Sequence, residues 1–311
     1  MKNIILLSFA FLLINTYSLS AQELPEQAVN TIKSEDIRIR DPFVFLDEKS
    51  GYYYIPVSAG SGFKMYKSQN LEEWIDLGMC FQPEDDFWGK SDFWAPDMYM
   101  YKGKYYIFGT FSSKNKMRGT SILVATRPEG PYSPLMNEPI TPPDWMALDG
   151  ALYIDDKGQP WMLYCHEWLQ VKDGEIVAQR MSKDLKKMIG EPVVLFKASY
   201  APWTGCDAVN YVTDAPFIYK IDNKRLCMTW SSIGKNGKYC IGASYSENGI
   251  LGPWIHEPEP MNDDDGGHAM LFTAKDGKLK ISYHAPNSKT ETLIIKNAVS
   301  EDGKLKIIDA H

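Results

Sequence analysis

From about residue 35 onward, apolar and polar positions alternate in short runs, and each run ends at a turn signal. "DPFVFLDEKSGYYYIPVSAG" is an apolar run, a turn and a second apolar run; "APDMYMYKGKYYIFGTFS" repeats the plan around "KGK". The same layout returns in "LDGALYIDDKGQPWMLYCHEW", "TDAPFIYKIDNKRLCMTWSS" and "GGHAMLFTAKDGKLKISYHAPN". Gly, Asn and Asp between alternating segments mark hairpins. Further strand-like runs follow each hairpin, among them "FKMYKSQNLEEWIDLG" and "YCIGASYSENGILGPW". A sustained 3.6-residue apolar period is missing outside the first residues.

Repetition at this scale predicts an all-β, five-bladed β-propeller, with about four antiparallel strands per blade and each blade's first strand innermost. A β-sandwich is the competing arrangement of as many strands, and it gives no reason for five similar units. The repeats run from 35 to 311 with no Pro/Ser-rich linker, which predicts one domain. Residues 1–21 read as a signal peptide: a Lys2 start, the apolar "IILLSFAFLLI" and small residues near Ala21. That apolar stretch is too short for a membrane span. Residues 22–34 are then an N-terminal extension, and the protein is expected to be secreted or periplasmic, with no membrane insertion after cleavage.

Charge and composition narrow the partners. A formal net charge of −7 argues against nucleic acid and anionic lipid, and it suits a neutral substrate. The five cysteines lack metal-type spacing and are expected to be mostly buried and unpaired. Aromatic residues make up 13% of the chain, enough to serve both a β core and a surface that stacks on flat ligands.

The starts of the five first strands carry Asp41, Asp97, Asp149, Asp214 and His268. In a propeller, equivalent positions meet at one end of the channel. One acid at a strand start is ordinarily a turn residue, but several on a single ring raise each other's pKa and cost stability, which points to a site. The acidic loop "NDDDGG" (262–267) reads as solvated rather than as a calcium loop. No HExxH, Gly-x-Ser-x-Gly or phosphate loop is present in the right context. Paired-carboxylate hydrolysis of a glycosidic bond is the chemistry left.

"RDPFV", "WAPD", "LDGALY" and "TDAP", in this order and spacing, resemble glycoside hydrolase family 43 over essentially the whole chain after the signal. The resemblance implies an inverting mechanism on arabinose- or xylose-containing plant polysaccharides, with Asp41 as general base and Asp149 orienting the proton donor. At the donor position the family has Glu where this chain has Asp214, one methylene shorter. Glu167, brought back beside Asp149 by the hairpin turn near Lys157, is the second candidate. A propeller without a competent donor, binding sugars only, is the third reading.

Trp94 and Trp168 adjoin the ring and are expected to stack on sugar, with Trp203 and Tyr211 on a rim. Asp97 and His284, the latter with Asn287, are expected to contact substrate. The resemblance places His268 near a bound cation or ordered water, so a structural calcium or other cation in the channel is the one metal considered; no cofactor is required. The expected activity is exo-acting arabinofuranosidase or β-xylosidase, with endo-xylanase or endo-arabinanase as the same-class alternative. A monomer is expected.

Overall fold

The structure is a computed structural model that describes residues 31–205 and 211–308. The expected signal peptide (1–21) and Cys206 lie outside the described residues. Five antiparallel sheets follow one another along the chain and pack in a ring. Blade 1 contains Phe45–Asp47, Tyr52–Ser58, Phe63–Ser68 and Glu73–Phe81; blade 2 contains Ser91–Tyr101, Lys104–Ser113, Lys116–Ala125 and Ser133–Pro134. Blade 3 contains Ala147–Ile154, Pro160–His166, Glu175–Met181 and Met188–Lys197. Blade 4 contains Asp214–Lys220, Leu226–Ile233, Tyr239–Ser246 and Ile255–His256, and blade 5 contains Gly267–Thr273, Leu279–Ala285, Thr292–Glu301 and Lys304–Ile308. The propeller read from the hairpin repeats is the observed fold.

Thr31–Lys33, part of the expected extension 22–34, pairs with Glu73–Ile75 as a fifth, outermost strand of blade 1. Among the described residues, no strand is exchanged between the first and last blades. Individual bonds close the ring instead: Arg38 bridges Thr292, and the Ser282 hydroxyl donates to Pro42 O at 3.1 Å. The Lys275 N–H donates to the Tyr53 hydroxyl at 2.9 Å.

Wedges of side chains between blades form the core. Phe63, Phe81, Phe87, Phe93 and Phe111 meet largely edge to face between blades 1 and 2, the arrangement ring quadrupoles favour. Trp203 lies in a second wedge, its ring 5.0 Å from Trp230 and in contact with Gly242, where a Cβ would come within 2.3 Å of the indole. Cys80, Cys165, Cys227 and Cys240 are buried free thiols.

One backbone feature repeats five times and positions the site. At or just before the start of each innermost strand, or within its first five residues, stands a non-glycine residue in the left-handed region: Asp41, Ala95, Asp149, Ala215 and His268, with φ between 43° and 58°. In blades 2 to 5 the preceding residue pairs with the second strand (Trp94 with Thr110, Leu148 with Cys165, Asp214 with Ser231, Gly267 with His284), and the register then slips in a bulge. Those second-strand residues receive the N–H of the next blade's left-handed residue. Asp149 N–H donates to Thr110 Oγ1, His268 N–H to Ser231 Oγ and Asp41 N–H to His284 Nδ1. Blade 3 offers only Cys165 at this place, and Ala215 N–H donates to the Asp149 carboxylate instead, at 3.0 Å. Such conformations cost on the order of 1–3 kcal/mol each and persist where the surroundings fix them, often at functional sites.

Candidate active site

The bulges turn side chains into a cavity of about 750 Å³ at one mouth of the channel, lined by Asp41, Asp149, Asp214, Glu167, His268, Trp94 and Tyr239. Arg38, Arg40 and Lys289 lie on its edge toward blades 1 and 5.

His268 links two of the acids. Its Nδ1 is 3.0 Å from Asp41 Oδ1 and 3.8 Å from Asp149 Oδ2. Burial works against the imidazolium, but Asp41 and then Asp149 outweigh it and lift the His268 pKa to about 10. Burial likewise pushes Asp41 upward. His268 overcomes this by charge and hydrogen bond, with help from His284 and Arg40, and holds the carboxyl well below the usual range. Asp41 is therefore ionised at any working pH. His284 stands behind it, fully buried; burial lowers its pKa to about 4, so it is a neutral ring that accepts the Asp41 N–H at Nδ1.

The other carboxyls shift the opposite way. Asp149 is raised, by burial first and then by Asp214 and Asp41 against the pull of His268. Asp214 is lifted to about 6 by burial, partly offset by His268 and by the Tyr239 hydroxyl, which donates to its Oδ2 at 2.9 Å. Neighbouring carboxyls of this kind lose their protons in separate steps. Burial also raises Glu167, against Arg118. Arg118 Nη1 donates to both Glu167 oxygens, Nε donates to Asp92 at 3.1 Å, and the guanidinium lies 4.4 Å from the Trp94 ring centre.

Of the residues expected at the site, Asp41, Asp149, Glu167, Asp214, His268 and Trp94 line the one cavity. Four others are placed elsewhere. Asp97 sits two residues past the left-handed Ala95, level with Phe43, Phe217 and Met270, and points into a small void deeper in the channel. There the Tyr99 hydroxyl donates to it and burial raises its pKa to about 7, so it is channel lining rather than a substrate contact. Trp203 is only 3% exposed and is core rather than rim. His284 touches the Asp41 backbone, not the cavity. Trp168 opens the four-residue helix Trp168–Val171 and does not line the cavity.

Among the described residues, no three His, Cys, Asp or Glu side chains are placed to hold a metal, and His268 Nδ1 is taken up by Asp41.

The family model described as "Glycosyl hydrolases family 43" matches residues 35–305. The chain belongs to glycosyl hydrolase family 43. It is a glycoside hydrolase. An endo-arabinase of known structure from Bacteroides thetaiotaomicron is 52% identical, with a TM-score of 0.86, covering 88% of this chain and 98% of that one. An extracellular exo-alpha-(1->5)-L-arabinofuranosidase, ArbA of Cellvibrio japonicus, is 26% identical across 89% of this chain and 85% of that protein. A thermostable family-43 glycoside hydrolase aligns at 26% identity with a TM-score of 0.79, over 90% of this chain and 95% of that one.

Two residues of this family-43 site carry no sequence signal. Arg118 and Tyr239 stand at the starts of third strands, in "KMRGT" and "KYCIG". Their spacing from the acids is set by hairpin length, and only the folded blade brings them to the mouth. Gly267 lets Tyr239 in, since a Cβ there would lie 2.2 Å from the phenol ring.

Proposed function

We propose that this family-43 enzyme is a secreted, inverting α-L-arabinofuranosidase that removes terminal arabinofuranosyl units from plant arabinan and related polysaccharides. The observation that carries the reading is one ionised carboxylate, Asp41, pinned by an imidazolium in the same cavity as Asp214, a carboxyl raised to about 6. The arabinan-active relatives supply the sugar, and the extracellular one supports secretion.

In this reading Asp41 takes a proton from a water molecule. The water oxygen bonds to the anomeric carbon as the glycosidic C–O bond breaks on the opposite face, and the departing oxygen takes its proton from the donor. Asp214 is the donor. Of its two oxygens one accepts from Tyr239, and the cavity side is left for the leaving group. Glu167 has both oxygens engaged by Arg118, a pairing that favours the ionised form and opposes proton delivery. Asp149, hydrogen bonded to Ala215 N–H, fixes the start of the strand that carries Asp214.

The second reading, endo-arabinanase, is favoured by the 52%-identical relative. Product analysis on linear arabinan separates the two. Arabinose as the sole early product supports exo action; a ladder of oligosaccharides before arabinose supports endo action. If neither appears, and aryl arabinofuranosides and aryl xylosides are also untouched, the arabinoside reading fails.

A further inference from the structure

A second cavity of about 870 Å³ lies between blades 2 and 3, next to the catalytic one. Its walls come from the start of the third strand of blade 2 (Asn115–Gly119), the connection 138–145 and the outer strands of blade 3, with Glu191 on the far side. Arg118 is the partition. It lines this groove while resting on Trp94 and holding Glu167, both of which line the catalytic cavity. The two spaces are one side chain apart.

The groove contains a fixed aromatic platform. Trp145 lines it and stacks on His166 with ring centres 4.0 Å apart and planes 10° apart. His166 is itself held by Glu175 and Gln170, each at 3.0 Å. Gln170 also accepts the Met146 N–H and donates to Asp144 O, and Met146 O accepts the Glu167 N–H at 2.8 Å. The loop carrying Trp145 and the strand end carrying Glu167 are thus one bonded unit. Pro139, Pro142 and Pro143 stiffen the floor, and Asn115, Glu138 and Asp144 add polar groups. A flat ring with one face covered, set among hydroxyl-bonding groups in a preformed groove, suits a sugar ring, and preorganisation lowers the ordering cost of binding.

We infer that this groove binds the polysaccharide chain beyond the bond being cut, so that the substrate lies from the catalytic cavity across Arg118 onto Trp145. The inference rests on the glycosidase reading and adds to it a preference for long linear chains.

The test uses linear α-(1→5)-arabino-oligosaccharides of two to six units, an aryl arabinofuranoside, and the variants Trp145→Ala, Trp145→Phe and Glu191→Trp. Glu191 is an exposed lining residue on the strand Met188–Lys197, and Glu191→Trp adds bulk to the groove there. In the wild type kcat/KM should rise with chain length. Trp145→Ala and Glu191→Trp should remove about tenfold of that gain, mainly through KM, while leaving the aryl arabinofuranoside unaffected, and Trp145→Phe should restore most of it. Direct titration of the hexasaccharide into Asp41→Asn should show the same weakening, whether or not turnover is observed. If chain length has no effect in the wild type, or both groove variants keep the full gain, the groove proposal is wrong while the catalytic reading stands. If no arabinoside is turned over and the hexasaccharide still binds in a Trp145-dependent way, the catalytic reading fails and the groove stands.

Discussion

Replacing Tyr239 by phenylalanine removes one hydrogen bond and little else. The ring is buried and stacked 5.7 Å from His284, contacts that phenylalanine keeps, while the hydroxyl donates to Asp214 Oδ2 at 2.9 Å. A hydrogen bond to a charged group contributes about 1.5–3 kcal/mol, and one pKa unit corresponds to about 1.36 kcal/mol. The bond favours the ionised carboxylate, so losing it raises the Asp214 pKa by roughly one to two units from its value of about 6. A donor must be protonated to act. The basic limb of kcat/KM should therefore lie near pH 6 in the wild type and move upward by one to two units in Tyr239→Phe. The assay is a pH series on arabinobiose, whose poor leaving group requires the acid. Arg118→Met supplies the control: Arg118 holds Glu167 down, so this change should move the limb upward only if Glu167 is the donor. A limb that stays put in Tyr239→Phe and moves in Arg118→Met would refute the assignment of Asp214.

Other consequences follow from the same geometry. Asp214→Asn should lose about 10²–10⁴ in kcat/KM on arabinobiose and much less on an aryl arabinofuranoside with an acidic leaving group, with the activity partly returned by azide. Asp214→Glu, which restores the missing methylene, should keep more activity than Asp214→Asn, and finding the two equally impaired would argue against direct proton transfer from this position. Thermal unfolding should depend on pH with a definite sign. Asp97 at about 7, Asp214 at about 6 and His268 at about 10 all hold protons more tightly when folded than when unfolded, so their contribution falls as pH rises through these values. Asp41 acts oppositely, and its contribution is lost only in strong acid. Because the loss begins at the unfolded carboxyl value of 3.8, the melting temperature should peak near pH 4 and decline toward pH 10 by the equivalent of several kcal/mol, on the order expected from linkage. A melting temperature that climbs from pH 5 to 9 would contradict the buried acid cluster.

The fold was legible because a propeller blade is local. Each hairpin joins strands adjacent in sequence, and the turns "EKSG", "KGK", "DDKG", "IDNK" and "AKDG" mark every one. Site residues were legible where the left-handed bulge residue itself bears the functional group, as at Asp41, Asp149 and His268. Aligning blades by their acids misplaced two positions. Ala95 and Ala215 occupy the equivalent backbone place, which puts Asp97 two residues too deep and Asp214 one residue toward the mouth. A φ angle leaves no mark on the sequence when alanine adopts it. Trp203 looked like a rim residue because it lies in a long insertion, but its ring packs onto Gly242 and Trp230. Tyr239 reaches Asp214 through the hairpins of its own blade and Arg118 reaches Glu167 across two blades, neither of which strand periodicity encodes.

The most direct measurement follows the anomeric proton of arabinose by NMR during the first turnovers on an α-linked arabinoside, with wild type and Asp41→Asn side by side. Single displacement by an Asp41-activated water predicts the β anomer first, with the α anomer appearing only by mutarotation, and an Asp41→Asn rate lower by about 10² to 10⁴. First appearance of the α anomer, or an Asp41→Asn enzyme close to wild type, would contradict it.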